Sequence, residues 1–314
     1  MPLTVNHIES CPDIGPDCEG PVSPKPYWHH VSELVSESAF DASYAITANF
    51  GIDTRWAVRI IRIKPTYSEL DGTPKLVPND IHHHDETIGG ITDPWLLARV
   101  AGSIGGFVSV GRFGLSFPLG KTIPDPYQLT AEGKWHEHVQ VGSGTFIPIV
   151  ELSMAYTIDP VTIALGGTGL FNVSENSKGY RAPPRFYFDH RVSVGLFHHL
   201  LMPFAEVSLA HEGEEYWHGL IGGEGSNIRT EIYLGGGLGW NFYRRWTIEG
   251  SASGRVASLT NAPTFASAGT FSLALSTTFD VARSRTTAGA PEEKRIAPNI
   301  IERRHDGVVE FEKQ

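Results

Sequence analysis

At 314 residues with a formal charge of −10, the chain has room for one large domain or two ordinary ones, and no basic field to hold a nucleic-acid backbone. No apolar run approaches the ~20 residues that a spanning helix requires, which excludes a helical membrane protein.

The opening stretch, MPLTVNHIES, lacks the basic and then apolar pattern of an export signal. Cys11 and Cys18, the only cysteines, bracket PDIGPD, a turn-forming loop that a disulfide would close in an oxidising compartment. A zinc pair is the lesser reading, because no second cysteine pair completes a four-ligand set. YWHHVSELV, residues 27–35, is a short extended segment.

From about residue 40 to 280 one unit recurs: an alternating apolar and polar run, a tight turn, a second alternating run, then a long polar loop. Runs near 40–50, 55–64, 91–100, 107–118, 145–156, 161–173, 186–198, 203–211, 228–242, 246–258 and 270–279 make eleven segments. In WTIEGSASGRVAS, Trp246, Ile248, Gly250, Ala252, Gly254 and Val256 share one face and Thr247, Glu249, Ser251, Ser253 and Arg255 the other. Period two over such a length is a strand with two chemically distinct faces.

Soluble strands run ~5–6 residues, whereas tilted strands crossing a bilayer need ~9–11, apolar outside and polar inside; these segments fit the second case. Loop lengths alternate as well. Turns near Asp53, Gly102, Asp159, Leu200 and Arg244 are short, and connections at 65–88, 118–141, 173–185, 212–228 and 258–268 are long. Phe50 and Trp56 flank one short turn, and Trp240, Phe242, Tyr243 and Trp246 another, as an interfacial girdle would.

The expected fold is therefore all-β: a transmembrane antiparallel up-and-down barrel with short periplasmic turns and long extracellular loops. Eleven strands leave closure one short, so residues 27–35 supply the twelfth. The chain divides into an N-terminal periplasmic segment at 1–26, a barrel at 27–280 and a charged, flexible tail at 281–314.

HHHDETIGGITDPWLLARVAG, GRFGLSFPLGK and HEHVQVGSGTFIPIVELSMAYTI resemble the outer-membrane transporter-like barrels grouped with the phenol-degradation MetA-pathway proteins. Gly90 and Asp93 match that group's Gly-x-x-Asp strand start, and Gly142, Ser143, Gly144 and Thr145 its Gly-Ser/Thr-Gly-Thr segment; Ile147 departs from the pattern. The resemblance implies an outer-membrane barrel passing small compounds, aromatic or apolar ones among them, and brings no catalytic residues.

Arg99, Arg112, Glu151, Asp189, Arg191, Glu206, Arg229, Glu231, Glu249 and Arg255 all fall on the non-apolar parity of their strands and become lumen-lining candidates. They form either a constriction tuned for polar solutes or a ladder of salt bridges filling the interior. LGGGLG and LGGTG lie inside strand patterns and open no helix, so they widen the lumen or let a strand bend rather than cradle phosphate.

His82, His83, His84, His136 and His138 stand in outer loops with Asp85, Glu86 and Glu137 nearby; they are metal-ligand candidates, set against a merely solvated rim. No Gly-x-Ser-x-Gly elbow and no HExxH occurs, so neither catalysis nor a cofactor is expected.

The sequence thus points to an outer-membrane channel or facilitator for small molecules, partnered by the bilayer and its solute. The alternatives are a non-conducting barrel that binds a metal or partner and, behind it, an outer-membrane lipid hydrolase. Neutralising Arg112 or Arg255 is expected to shift reversal potentials in planar bilayers toward cation selectivity.

Overall fold

The computed structural model describes residues 3–8, 27–76, 85–132, 134–136, 139–221, 228–242, 245–259 and 269–279. Cys11, Cys18, His82, His83, His84, Glu137, His138 and the 281–314 tail lie outside these residues.

Twelve strands follow one another in chain order, each antiparallel to the next, on one path of a curled 14-stranded sheet. They are β1 Leu3–Ile8, β2 Trp28–Ala45, β3 Phe50–Ser68, β4 Trp95–Ile104, β5 Phe107–Ser116 and β6 Ile147–Ile158. The second half comprises β7 Val161–Leu170, β8 Arg185–Val194, β9 Leu201–Glu212, β10 Arg229–Phe242, β11 Trp246–Ser258 and β12 Gly269–Thr277. This is the topology of an up-and-down transmembrane barrel. All eleven expected segments correspond to β2 through β12.

Three details differ from expectation. Residues 27–35 are no separate strand: they are the outer half of β2, which pairs with β3 without interruption from Trp28↔Ser68 to Ala45↔Gly51. The remaining strand is instead β1, laid against that outer half from Leu3↔Glu33 to Ile8↔Trp28. Among the described residues no ladder joins β1 or β2 to β12.

The first short turn also moves, to residues 46–49, where Thr47 Oγ1 accepts from the Phe50 amide at 3.0 Å. Asp53 and Trp56 consequently stand in the wall of β3, not at its turn. Gly105 and Gly106, with φ of 58° and 87°, form the β4–β5 hairpin, which needs positive φ at both central positions.

A break in the wall positions the site. Glu86–Ile91 pairs with the outer half of β3, from Ile63↔Glu86 to Val58↔Ile91, and β4 pairs with its inner half. The two pieces make one column beside β3, interrupted at Thr92, Asp93 and Pro94. Pro94 has no amide to give the ladder, which explains an interruption there.

Alternation sorts the faces. On β3, Ile52, Trp56, Val58 and Ile60 are exposed, whereas Asp53, Arg55, Ala57, Arg59, Ile61 and Ile63 are buried on the inner face. Beyond Ile60 the outward side chains become Arg62 and Lys64, marking where the apolar band ends. Leu96, Val100, Phe113, Leu152, Met154, Leu165 and Leu273 continue the exposed apolar belt around the sheet. A soluble protein does not leave so large a contiguous apolar surface in water; hydrocarbon is the solvent that fits it.

At the short-turn end Trp240 and Phe242 lie 5.0 Å apart. At the other end Phe117 packs on Phe146 at 5.6 Å and Phe171 on Phe186 at 5.5 Å, which supplies the second aromatic girdle. Leu152→Arg, which places a charge on the outward mid-strand face, is expected to destabilise the folded protein by ~2–4 kcal/mol, while Arg62→Ala stays near neutral. Urea unfolding in lipid vesicles measures the difference.

Candidate functional site

Between β5 and β6, the described residues at 139–145 turn inward rather than out into solvent. Val139 and Val141 pack inside the barrel against Val31, Ile61, Ile63 and Ile88, all side chains of the wall's inner face. The loop therefore folds inward and roofs the interior at the long-loop end. It carries one helix, α1 Pro126–Ala131, capped by Asp125, whose Oδ1 accepts from the Tyr127 amide at 2.9 Å.

Asp93 closes the base of this loop. Its Oδ1 accepts from the Gly120 amide at 2.7 Å, and its Oδ2 accepts from both the Ser143 amide at 2.6 Å and the Ser143 hydroxyl at 2.7 Å. The wall break at residues 92–94 is what frees Asp93 from the ladder. Gly120 and Gly142 meet backbone to backbone: a Cβ on Gly142 would lie 2.5 Å from the Gly120 Cα. The two motifs behind the family resemblance, one ending at Asp93 and the other starting at Gly142, are thus two halves of one clasp.

Neighbouring loops reinforce it. Asn176 Nδ2 donates to the Ser143 carbonyl at 3.0 Å, and Lys178 Nζ to the Thr122 carbonyl at 2.9 Å. Gly144, with φ of 71°, leaves room for Asn176, which a Cβ would approach to 2.9 Å. His218 Nε2 lies 2.9 Å from Asp125 Oδ2, and Tyr180, Ala182 and Trp217 pack with Tyr127. Strands Tyr180–Arg181, Tyr216–Trp217 and Leu220–Ile221 form a small sheet of their own here.

At the exposed end of α1, Lys134 hydrogen-bonds Glu132 and holds its carboxyl below the usual range. At the β3 exit, the Thr73 amide and hydroxyl do the same for Asp71.

Beneath the roof lies an apolar layer of Trp95, Leu97, Ile147, Ile149, Leu170 and Tyr187. The charged layers complete the interior. The ten charged candidates all occupy inward positions, and the structure brings them into small clusters.

Arg112 Nε donates to Asp53 Oδ2, Arg99 Nε lies 3.5 Å from Asp53 Oδ1, and Arg112 Nη1 lies 3.6 Å from Glu151 Oε2. Arg99 and Arg112 are direct cross-strand partners, a repulsive placement that Asp53 relieves from the adjacent strand. Arg255 Nη1 donates to Glu231 Oε1 at 2.7 Å, and the Tyr233 hydroxyl to Glu231 Oε2 at 2.6 Å. Arg229 pairs with Glu212, as Arg185 does at 3.8 Å. Asp189 and Glu206 face inward on β8 and β9, Glu206 directly opposite Arg191 in the ladder.

Arg191 reaches furthest. From β8 its Nη2 donates to Glu249 Oε2 on β11 at 2.6 Å, passing over β9 and β10. Its guanidinium carbon sits 3.4 Å from the ring centroid of Phe204. Phe204 in turn occupies the space above Gly237, where a Cβ would come within 2.5 Å of its Cζ. Gly237 of LGGGLG therefore admits an aromatic ring and the arginine lying on it, where the sequence suggests a wider lumen or a bent strand.

Because Arg112 and Arg255 are paired, neutralising either one also removes the closest cation of a buried carboxylate, at a cost of up to about 3–5 kcal/mol. Sequence reasoning missed Asp53, Glu37, Asp41, Arg55 and Arg59. Arg55 Nη2 donates to Glu37 Oε1 at 2.8 Å and Arg59 Nη2 to Glu37 Oε2 at 2.9 Å, on the inner face of β2 and β3. Extending the alternation of residues 55–64 back through Asp53 would have placed that carboxylate inside.

His136 is buried at 3% exposure with Nδ1 3.0 Å from the Lys134 carbonyl, so it is not on a solvated rim. Among the described residues no group of three metal-ligating side chains forms.

No family model and no curated protein matches the chain. An outer membrane channel from Pseudomonas putida F1 shares the fold, with a TM-score of 0.55 and 9% identity over 88% of this chain and 94% of that one. OmpT, an outer membrane protein of Vibrio cholerae, covers 88% and 95% at 8% identity, with a TM-score of only 0.32. The fold is that of outer-membrane β-barrels.

Asp93→Ala removes three hydrogen bonds to a charged acceptor, each worth about 1.5–3 kcal/mol, and should release the loop base while the wall persists. Faster trypsin cleavage at Lys121 and Lys134, with unchanged heat-modifiable gel mobility, is the expected result.

Proposed function

We propose that this chain is an outer-membrane channel through which small molecules pass without catalysis or cofactor. The observation that carries the reading is the combination of a lipid-facing barrel wall with a charged inner face beneath an inward loop. A purely structural barrel has no need to keep ten candidate charges inside, since even paired ones cost desolvation that apolar packing would not. A channel does, because charged rings select what crosses.

The resemblance to the barrels grouped with the phenol-degradation MetA-pathway proteins narrows the solute to small compounds, aromatic or apolar ones among them. The alternative of a non-conducting barrel draws on the apolar layer under the roof, where Leu97 and Ile149 are 0% and 1% exposed. A passage must therefore skirt that layer or open when the inward loop shifts.

Reconstitution separates the two. The protein should fractionate with the outer membrane and give discrete conductance steps in planar bilayers, larger in Asp93→Ala than in the wild type. Folded protein that yields no steps in either form would count against a channel.

A further inference from the structure

The inner face carries arginines at positions 55, 59, 99, 112, 185, 191, 229 and 255, and they are not equivalent. Arg191, Arg229 and Arg255 each hold a carboxylate at ordinary or short hydrogen-bond distance, as do Arg55, Arg59 and Arg112. Arg99 does not. Among the described residues its one ion pair is with Asp53 at 3.5 Å, and Asp53 already accepts from Arg112.

Its side chain is 23% exposed, against 12% for Arg112, 10% for Arg55 and 3% for Arg229. It lies flat on Gly51, where a Cβ would come 2.6 Å from Nη2, so the glycine sets the position of the guanidinium. Between it and the short-turn end, no inward side chain of β4 to β7 is larger than valine or threonine, from Ala101 and Ser103 through Val108 and Val110 to Ser153, Ala155, Thr157, Thr162 and Ala164. Nothing bulky on these strands stands between the Arg99 fork and the short-turn mouth.

We propose that Arg99 binds the oxyanion group of a small solute at the short-turn side of the interior. This rests on the channel reading for its purpose, though not for its geometry. A planar guanidinium with unspent N–H donors, fixed on a glycine and partly solvated, matches a carboxylate or phosphate in two-point hydrogen bonding. The apolar layer on its far side suits a solute with an apolar body behind that group. Arg112 stays committed to Asp53 and supplies only field.

The test uses full-length protein folded in detergent and fluorobenzoate as probe, read by broadening of its fluorine NMR line. The wild type should broaden the line, R99Q should weaken binding about tenfold, and R99K should fall between, keeping the charge without the fork. Unchanged heat-modifiable mobility verifies that each variant folds. Competition by acetate identifies a carboxylate site, and stronger competition by inorganic phosphate a phosphate site.

No broadening in the wild type, or equal broadening in R99Q, overturns the proposal. Conductance is scored separately in planar bilayers. Broadening that depends on Arg99 in a protein without conductance steps would remove the channel reading and leave the oxyanion site standing.

Discussion

The apolar belt on the outer face governs everything inside. With hydrocarbon as the outer solvent, the wall can expose only residues such as Val58, Ile60, Leu152 and Leu273. Strand alternation then sends every other side chain inward, so all the polar chemistry of the transmembrane strands is compressed onto one concave face. Charges there must find partners or water. The Asp53, Glu37, Glu212, Glu231 and Glu249 clusters are the response, each carboxylate holding at least one arginine.

The same confinement explains the inward loop. A barrel mouth lined by Val31, Ile61, Ile63 and Ile88 would present apolar surface to water, and Val139 and Val141 cover it. The loop can enter only if its two arms are held together at the rim, where their backbones touch at Gly120 and Gly142. Asp93 accomplishes this because Thr92, Asp93 and Pro94 leave the ladder. A continuous strand would have aimed that side chain by parity alone, without freeing the backbone around it.

Strand number, order and face were legible from periodicity, because period-two alternation is a local property that survives into the wall unchanged. That ten charges share the non-apolar parity of their strands was readable for the same reason. Three things were not. The turn at 46–49 contains no glycine or proline, so Gly51 and Asp53 drew the prediction into the strand. The outer half of β2 looked separate because its outward residues, such as Ser32, Ser36 and Ser38, lack the apolar pattern of a lipid-facing run. The inward fold of residues 139–145 was hidden because a polar loop carries no period, and contacts like Asp93 to Ser143 span 50 positions in the chain. The motif that signalled them was visible, but as a resemblance, without its mechanical meaning.

The interior is therefore graded along its axis rather than uniformly polar. The long-loop end is closed over by apolar packing and a pinned loop, the middle is crossed by ion pairs, and β4 to β7 offer small side chains toward the short turns. Such a gradient makes the two ends chemically unequal. A solute meeting the short-turn side encounters Arg99 before the apolar layer of Trp95 and Leu97, whereas one arriving from the other side must first pass residues held by Asp93. If the barrel conducts, the resistance to passage is concentrated at the roof, and the charged middle decides which solutes wait beneath it.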